Sequence, residues 1–167
     1  PNTLALILIT PVALLFNLWA SDILTASYSE SKFPVPYFVA QLSFDPAQIK
    51  AWYLYLIDQG TLGKYIQTQH IDSLFIISTL LLHGSVLLLI SRLFLTSSKG
   101  RKIIVTCALL SAIAPISDQL ENLVSYLMLA NPQDFFGGLA YIYSAFAAIK
   151  FAFFVFAYVV APAGDRK

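Results

Sequence analysis

Lys150 stands in the run AYIYSAFAAIKFAFFVFAYVV and is the only charged side chain between Phe135 and Ala163. Upstream, Asp118, Glu121 and Asn122 interrupt a second apolar stretch as the cluster DQLEN. An ionised group at the centre of a bilayer costs ~2.5–3.5 kcal/mol, so residues of this kind pair with one another inside a bundle. A lysine and two acids in neighbouring apolar segments can do three kinds of chemistry. They can form an ion pair that fixes helix register, offer a polar seat to a ligand head group, or supply a buried carboxylic acid for proton transfer.

Other polar residues fall on helical stripes with them. Tyr65, Asp72, Thr79 and His83 follow one another at spacings of seven, seven and four. Ser111, Asp118, Asn122 and Ser125 form a second stripe with Glu121 at its edge, and Tyr143 and Lys150 are seven apart. One polar seam per helix is what a bundle shows when seams face inward and apolar flanks face lipid. By contrast, Phe151, Phe153, Phe154 and Phe156 read as lipid contacts.

Depth can be read from a rise of ~1.5 Å per residue. Asp118 lies roughly 24 Å along its segment from Lys102, and Lys150 about 17 Å along its own from Ala161. Side chains lean toward the helix N-terminus, which brings the two heads level and predicts an Asp118–Lys150 ion pair. Asn17, about 21 Å from Thr3, arrives at a similar depth. Asp72 and Glu121, with Asn122, come out higher and are predicted to line an external opening. Two carboxylates there would share a proton or a cationic ligand.

The elements that must position these residues follow from composition. The chain has 167 residues, 58% hydrophobic and 11% charged, with a mean hydropathy of +0.74. Soluble domains carry about 25% charged residues, so the pattern is that of an all-α integral membrane protein. A net charge of +1 without a basic stripe excludes nucleic acid as a partner. One cysteine, Cys107, excludes an internal disulfide and a cysteine zinc site, and with only His70 and His83 no metal or cofactor is expected.

Four segments approach the ~20 residues a spanning helix needs. They run over about 4–24, 71–95, 102–130 and 135–160, in one membrane domain covering 1–167. The basic residues Arg92, Lys99, Arg101 and Lys102 between the second and third spans, with Arg166 and Lys167 at the end, predict that both termini are cytoplasmic. A plasma (inner) membrane is the expected location. Segment 25–70 is then external. Within it Asp45 suits an N-cap, Pro46 the first helical position and Gly60 the far end. Ile49, Trp52, Tyr53 and Leu56 give this short helix one apolar, aromatic face, suited to the outer membrane surface or to the mouth of the bundle.

The stretch FDPAQIKAWYLYLIDQGTLGKYIQTQHIDSLF, then DQLEN, then the lysine of the last span resembles a family of small four-span membrane proteins. In that family G-x-x-G-[RK]-Y precedes an Asp at the start of a span, D-x-x-E-N follows in the next, and a lysine sits in the last. The resemblance covers about 44–151 and falls on Gly60, Gly63, Lys64, Tyr65, Asp72, Asp118, Glu121, Asn122 and Lys150. Lys64 stands where an arginine is usual. The resemblance implies a set of site residues and no particular activity.

These readings converge on a membrane module whose outward-facing polar pocket binds a lipid headgroup or small amphiphile, with other membrane proteins as further partners. The candidate residues are Asp72, Asp118, Glu121, Asn122, Lys150, Tyr65, Asn17 and His83. One alternative is an intramembrane enzyme using buried carboxylates for acid–base chemistry on a lipophilic substrate. The other is a purely structural polar cluster.

Overall fold

The computed structural model describes residues 2–160, with side chains as far as Val155; Phe156 as a side chain, and Arg166 and Lys167, lie outside the described residues. All elements described are helices: α1 (Thr3–Ser31), α2 (Tyr37–Gln41), α3 (Pro46–Asp58), α4 (Leu62–Ser91), α5 (Lys99–Leu110), α6 (Ile113–Leu129) and α7 (Gly138–Val160). Four stretches are long and apolar enough to cross a membrane, namely Thr3–Ser31, Leu62–Ser91, Lys99–Leu129 and Gly138–Val155. The protein is thus a four-span helical bundle.

The first two spans exceed their apolar runs. α1 continues past Leu24 to Ser31, and α4 begins at Leu62 rather than near Ile71, so the connecting segment shrinks from 25–70 to 32–61. The extensions are polar along one side and satisfy each other. Ser27 and Thr68 share a 2.7 Å hydrogen bond, and Lys64 of α4 forms an ion pair with Glu30 of α1. Hydrogen bonding between helices replaces water, and the backbone stays helical beyond the greasy stretch. Lys32 closes α1 in a left-handed conformation with φ 55°.

The third span is not one smooth helix. It breaks at Ser111–Ala112 between α5 and α6, four residues before Pro115. A proline inside a helix cannot donate to the carbonyl four residues back and its ring clashes with it, here that of Ser111. At the other end of the second span, α4 stops at Ser91, short of the predicted 95.

α1 packs along α4 and α6 along α7, while α6 also meets α4 and joins the two pairs. Asn17 donates to Ser78 Oγ at 3.0 Å and Thr79 Oγ1 at 2.9 Å. With Ser27 on Thr68, this fixes α1 and α4 antiparallel. The 32–61 segment therefore lies at one end of the bundle and the basic link between α4 and α5 at the other.

α3 forms as its sequence signals suggest. Asp45 Oδ1 accepts from Ala47 N at 2.9 Å and Gln48 N at 3.1 Å, Pro46 opens the helix, and Gly60 follows it with φ 68°. Its apolar face enters the bundle. Ile49, Tyr53 and Leu56 are buried with Tyr65, Met128 and Tyr143, so α3 is a plug of the bundle end and its face does not lie against the outer membrane surface. Burial pushes the Tyr53 phenol well above its usual pKa, and the ring stays neutral at any physiological pH. Trp52 sits at the margin of this core against Phe33.

Candidate binding cavity

The charged centre is assembled by α6 and α7. One turn of α6 presents Asp118, Glu121 and Asn122 on its buried face, and Lys150 projects from the facing side of α7. Lys150 Nζ donates to Asp118 Oδ1 and to Glu121 Oε2, both at 2.7 Å. The predicted Asp118–Lys150 contact is present, and Glu121 completes it as a second carboxylate. All three residues are buried, Glu121 completely. Two anions around one cation leave a formal excess of negative charge, and Lys150 lies 4.9 Å from the centroid of the Phe151 ring.

Asp72 enters from α4. Its Oδ2 accepts from Asn122 Nδ2 at 2.7 Å, linking α4 to α6 beside the triad. Among the described residues no hydrogen bond reaches Asp72 Oδ1 or Asp118 Oδ2. Asp72 is only part-buried, because its side chain borders a cavity.

That cavity, about 600 Å³ in volume, lies between the α1–α4 pair and α7. α1 and α7 flank it without packing against each other along their length. At the α2 end Tyr28, Tyr37, Gln41, Tyr65 and Tyr143 line it. Midway are Asp72, Asp118 and Lys150, with Ser21, Thr25 and Phe75 opposite or beside them. Toward the far end are Asn17, Thr79, Leu82, His83, Phe151 and Phe154. A mostly apolar cleft with a few converging polar groups is the usual form of a small-molecule site.

The sequence-predicted residues therefore divide. Asp72, Asp118, Lys150, Tyr65, Asn17 and His83 share the cavity wall. Asn122 stands behind it as the partner of Asp72. Glu121 does not line an external opening as expected: its carboxylate is turned to Lys150 and fully enclosed. Nor does α3 roof the cavity. That place belongs to α2, through Tyr37, Ala40 and Gln41, while the α3 face is consumed by the aromatic core. The physical reason is size. Tyr53 and Leu56 bury more apolar surface among Tyr65, Phe135 and Tyr143 than a lid over a polar mouth would allow.

Several contributors were not picked out from sequence. Phe151 and Phe154, read as lipid contacts, line the cavity; Phe154 lies four residues after Lys150 and three after Phe151, so helical spacing groups it with both, a signal the sequence does contain. α2 carries no comparable signal. Its connection to α3 is pinned where Phe44 N donates to Ser144 Oγ of α7 at 3.1 Å, with Phe44 held at φ 51°. Lys64, in the position where the resemblance leads one to expect arginine, bonds Glu30 on the rim of the α1–α4 pair.

No metal-binding group of His, Cys, Asp and Glu occurs among the described residues. No family model, curated protein or solved structure matches this chain.

Proposed function

We propose that this protein binds a membrane amphiphile in the cleft between the α1–α4 pair and α7, with the polar head near Asp72 and Asp118 and apolar parts along Phe75, Leu82 and Phe154. The observation that carries this reading is the cavity of about 600 Å³ that combines an apolar wall with two carboxylates, each keeping one oxygen unbonded by protein. The flanking helices α1 and α7 do not pack along each other, which suits a ligand arriving between them from the bilayer rather than from water. Both termini are taken to be cytoplasmic, in a plasma (inner) membrane, supported by the basic link of Arg92, Lys99, Arg101 and Lys102.

Acid–base catalysis is less well supported, because the acids it would use, Asp118 and Glu121, are both engaged by Lys150. The binding reading is tested by filling the cavity. Ser21→Trp places a large ring in the cleft from α1 at the level of the proposed head site and leaves every residue of the triad in the sequence. Native mass spectrometry of protein extracted from its membrane should show an amphiphile on the wild type and none on Ser21→Trp, at unchanged thermal stability. If the wild type carries no amphiphile and takes up none when lipid is added, the polar cluster serves helix register alone.

A further inference from the structure

The cavity is elongated. Its wall on α4 runs from Tyr65 to His83, roughly 27 Å along the helix axis, long enough for a polar head and an apolar chain laid along α4.

The head position is more specific. Asp72 and Asp118 are the carboxylates of the cavity wall, and the ammonium nearby, Lys150, is already shared between Asp118 and Glu121. Three carboxylates exceed the charge of one lysine, so in apolar surroundings they take up either protons or a second cation, and an anionic head is disfavoured. An ammonium has three donors in a compact head, enough to span two carboxylates. Below it the wall turns apolar at Phe75, Leu82, Phe151 and Phe154, and the stretch from Asp72 to His83 measures about 16 Å.

We infer that the ligand is an amphiphile with a protonated amine head, seated beside Asp72 and Asp118 with its apolar part directed toward His83. This rests on the amphiphile-binding reading above and narrows it to one head chemistry.

The test uses the full-length protein, stripped of lipid in a bulky steroid-based nonionic detergent and examined by native mass spectrometry. Dodecylamine, dodecanol and a diacyl phosphatidylethanolamine are added separately. Dodecylamine should bind best. Asp72→Asn should weaken it by about tenfold or more, the loss of one charge-assisted hydrogen bond. This variant keeps an acceptor for Asn122 and so preserves the α4–α6 link. If dodecanol binds as tightly, or Asp72→Asn binds dodecylamine unchanged, the ammonium assignment is overturned while amphiphile binding stands. If phosphatidylethanolamine, whose ammonium is joined to a phosphate, binds as well as dodecylamine, the assignment of a plain ammonium head fails in the same way. If none of the three binds a protein whose melting temperature is intact, this inference and the broader reading fall together.

Discussion

Lys150 donates to two carboxylates, so the members of the triad are not equivalent. Lys150→Met strands Asp118 and Glu121 together without their cation, whereas Asp118→Asn leaves Lys150 still bonded to Glu121. Breaking a buried ion pair costs ~3–5 kcal/mol. Lys150→Met should reach that range in thermal or denaturant unfolding in detergent, and Asp118→Asn should cost clearly less. The double variant should be more stable than Lys150→Met alone, since one of the two stranded charges is gone. Equal and additive losses would show that Lys150 does not couple the two acids. At this scale the sequence was most legible, because a charge in an apolar run has few ways to be satisfied. The depth count that paired Asp118 with Lys150 failed for Glu121 because it ignored reach. From the edge of its stripe the longer glutamate side chain extends to the same ammonium, and the shorter Asp72 is left with Asn122.

Helix ends and breaks carry the next level of specification. The two glycines of the GTLGKY stretch make opposite demands. Gly60 closes α3 at φ 68° with open space where a Cβ would stand, so Gly60→Ala should cost about 1 kcal/mol through backbone strain alone. Gly63 lies exposed inside α4 with no neighbour near its missing Cβ, so Gly63→Ala should be neutral or slightly stabilising. Paired melting curves check this contrast, and a loss at Gly63 equal to that at Gly60 would contradict it. Asp45→Ala removes the side chain that holds two amides of α3 and should cost ~1 kcal/mol. Caps of this kind were readable from sequence because their rules are local. The lengths of α1 and α4 were not, since their last turns are sustained by partners such as Ser27 and Thr68 that lie 41 residues apart. The break at Ser111–Ala112 was readable in principle from Pro115, but it is masked by the continuous hydrophobicity of the span.

Across the whole molecule, the antiparallel register of α1 and α4 puts the 32–61 segment and the basic link on opposite faces. Gln59 and Ser97 are exposed at those two ends. In a Cys107→Ser background, a membrane-impermeant maleimide added to intact cells should label Gln59→Cys and spare Ser97→Cys until the membrane is opened. The reverse pattern would invert the topology and turn the α2 end of the cavity toward the cytoplasm. Four spans and their order were legible because hydropathy alone encodes them. The cavity was not, since it arises from where α1 and α7 fail to meet. That failure is a property of the assembled bundle and leaves no mark on any one segment.

The ion-paired triad joins only α6 and α7, which follow each other through a short turn. That locality bears on biogenesis. A nascent α7 carrying Lys150 would enter the lipid reluctantly by itself, and α6 with two carboxylates no better. As a helical hairpin they can pair Lys150 with its carboxylates before either reaches the hydrocarbon. The two spans should therefore be integrated together, with α6 waiting at the insertion machinery until α7 has been synthesised. A glycosylation-tagged reporter should show α7 integrating efficiently behind α6 and poorly behind an α6 carrying both Asp118→Leu and Glu121→Leu. Equal integration in the two backgrounds would mean that Lys150 finds its partners only after the helices are already in the bilayer.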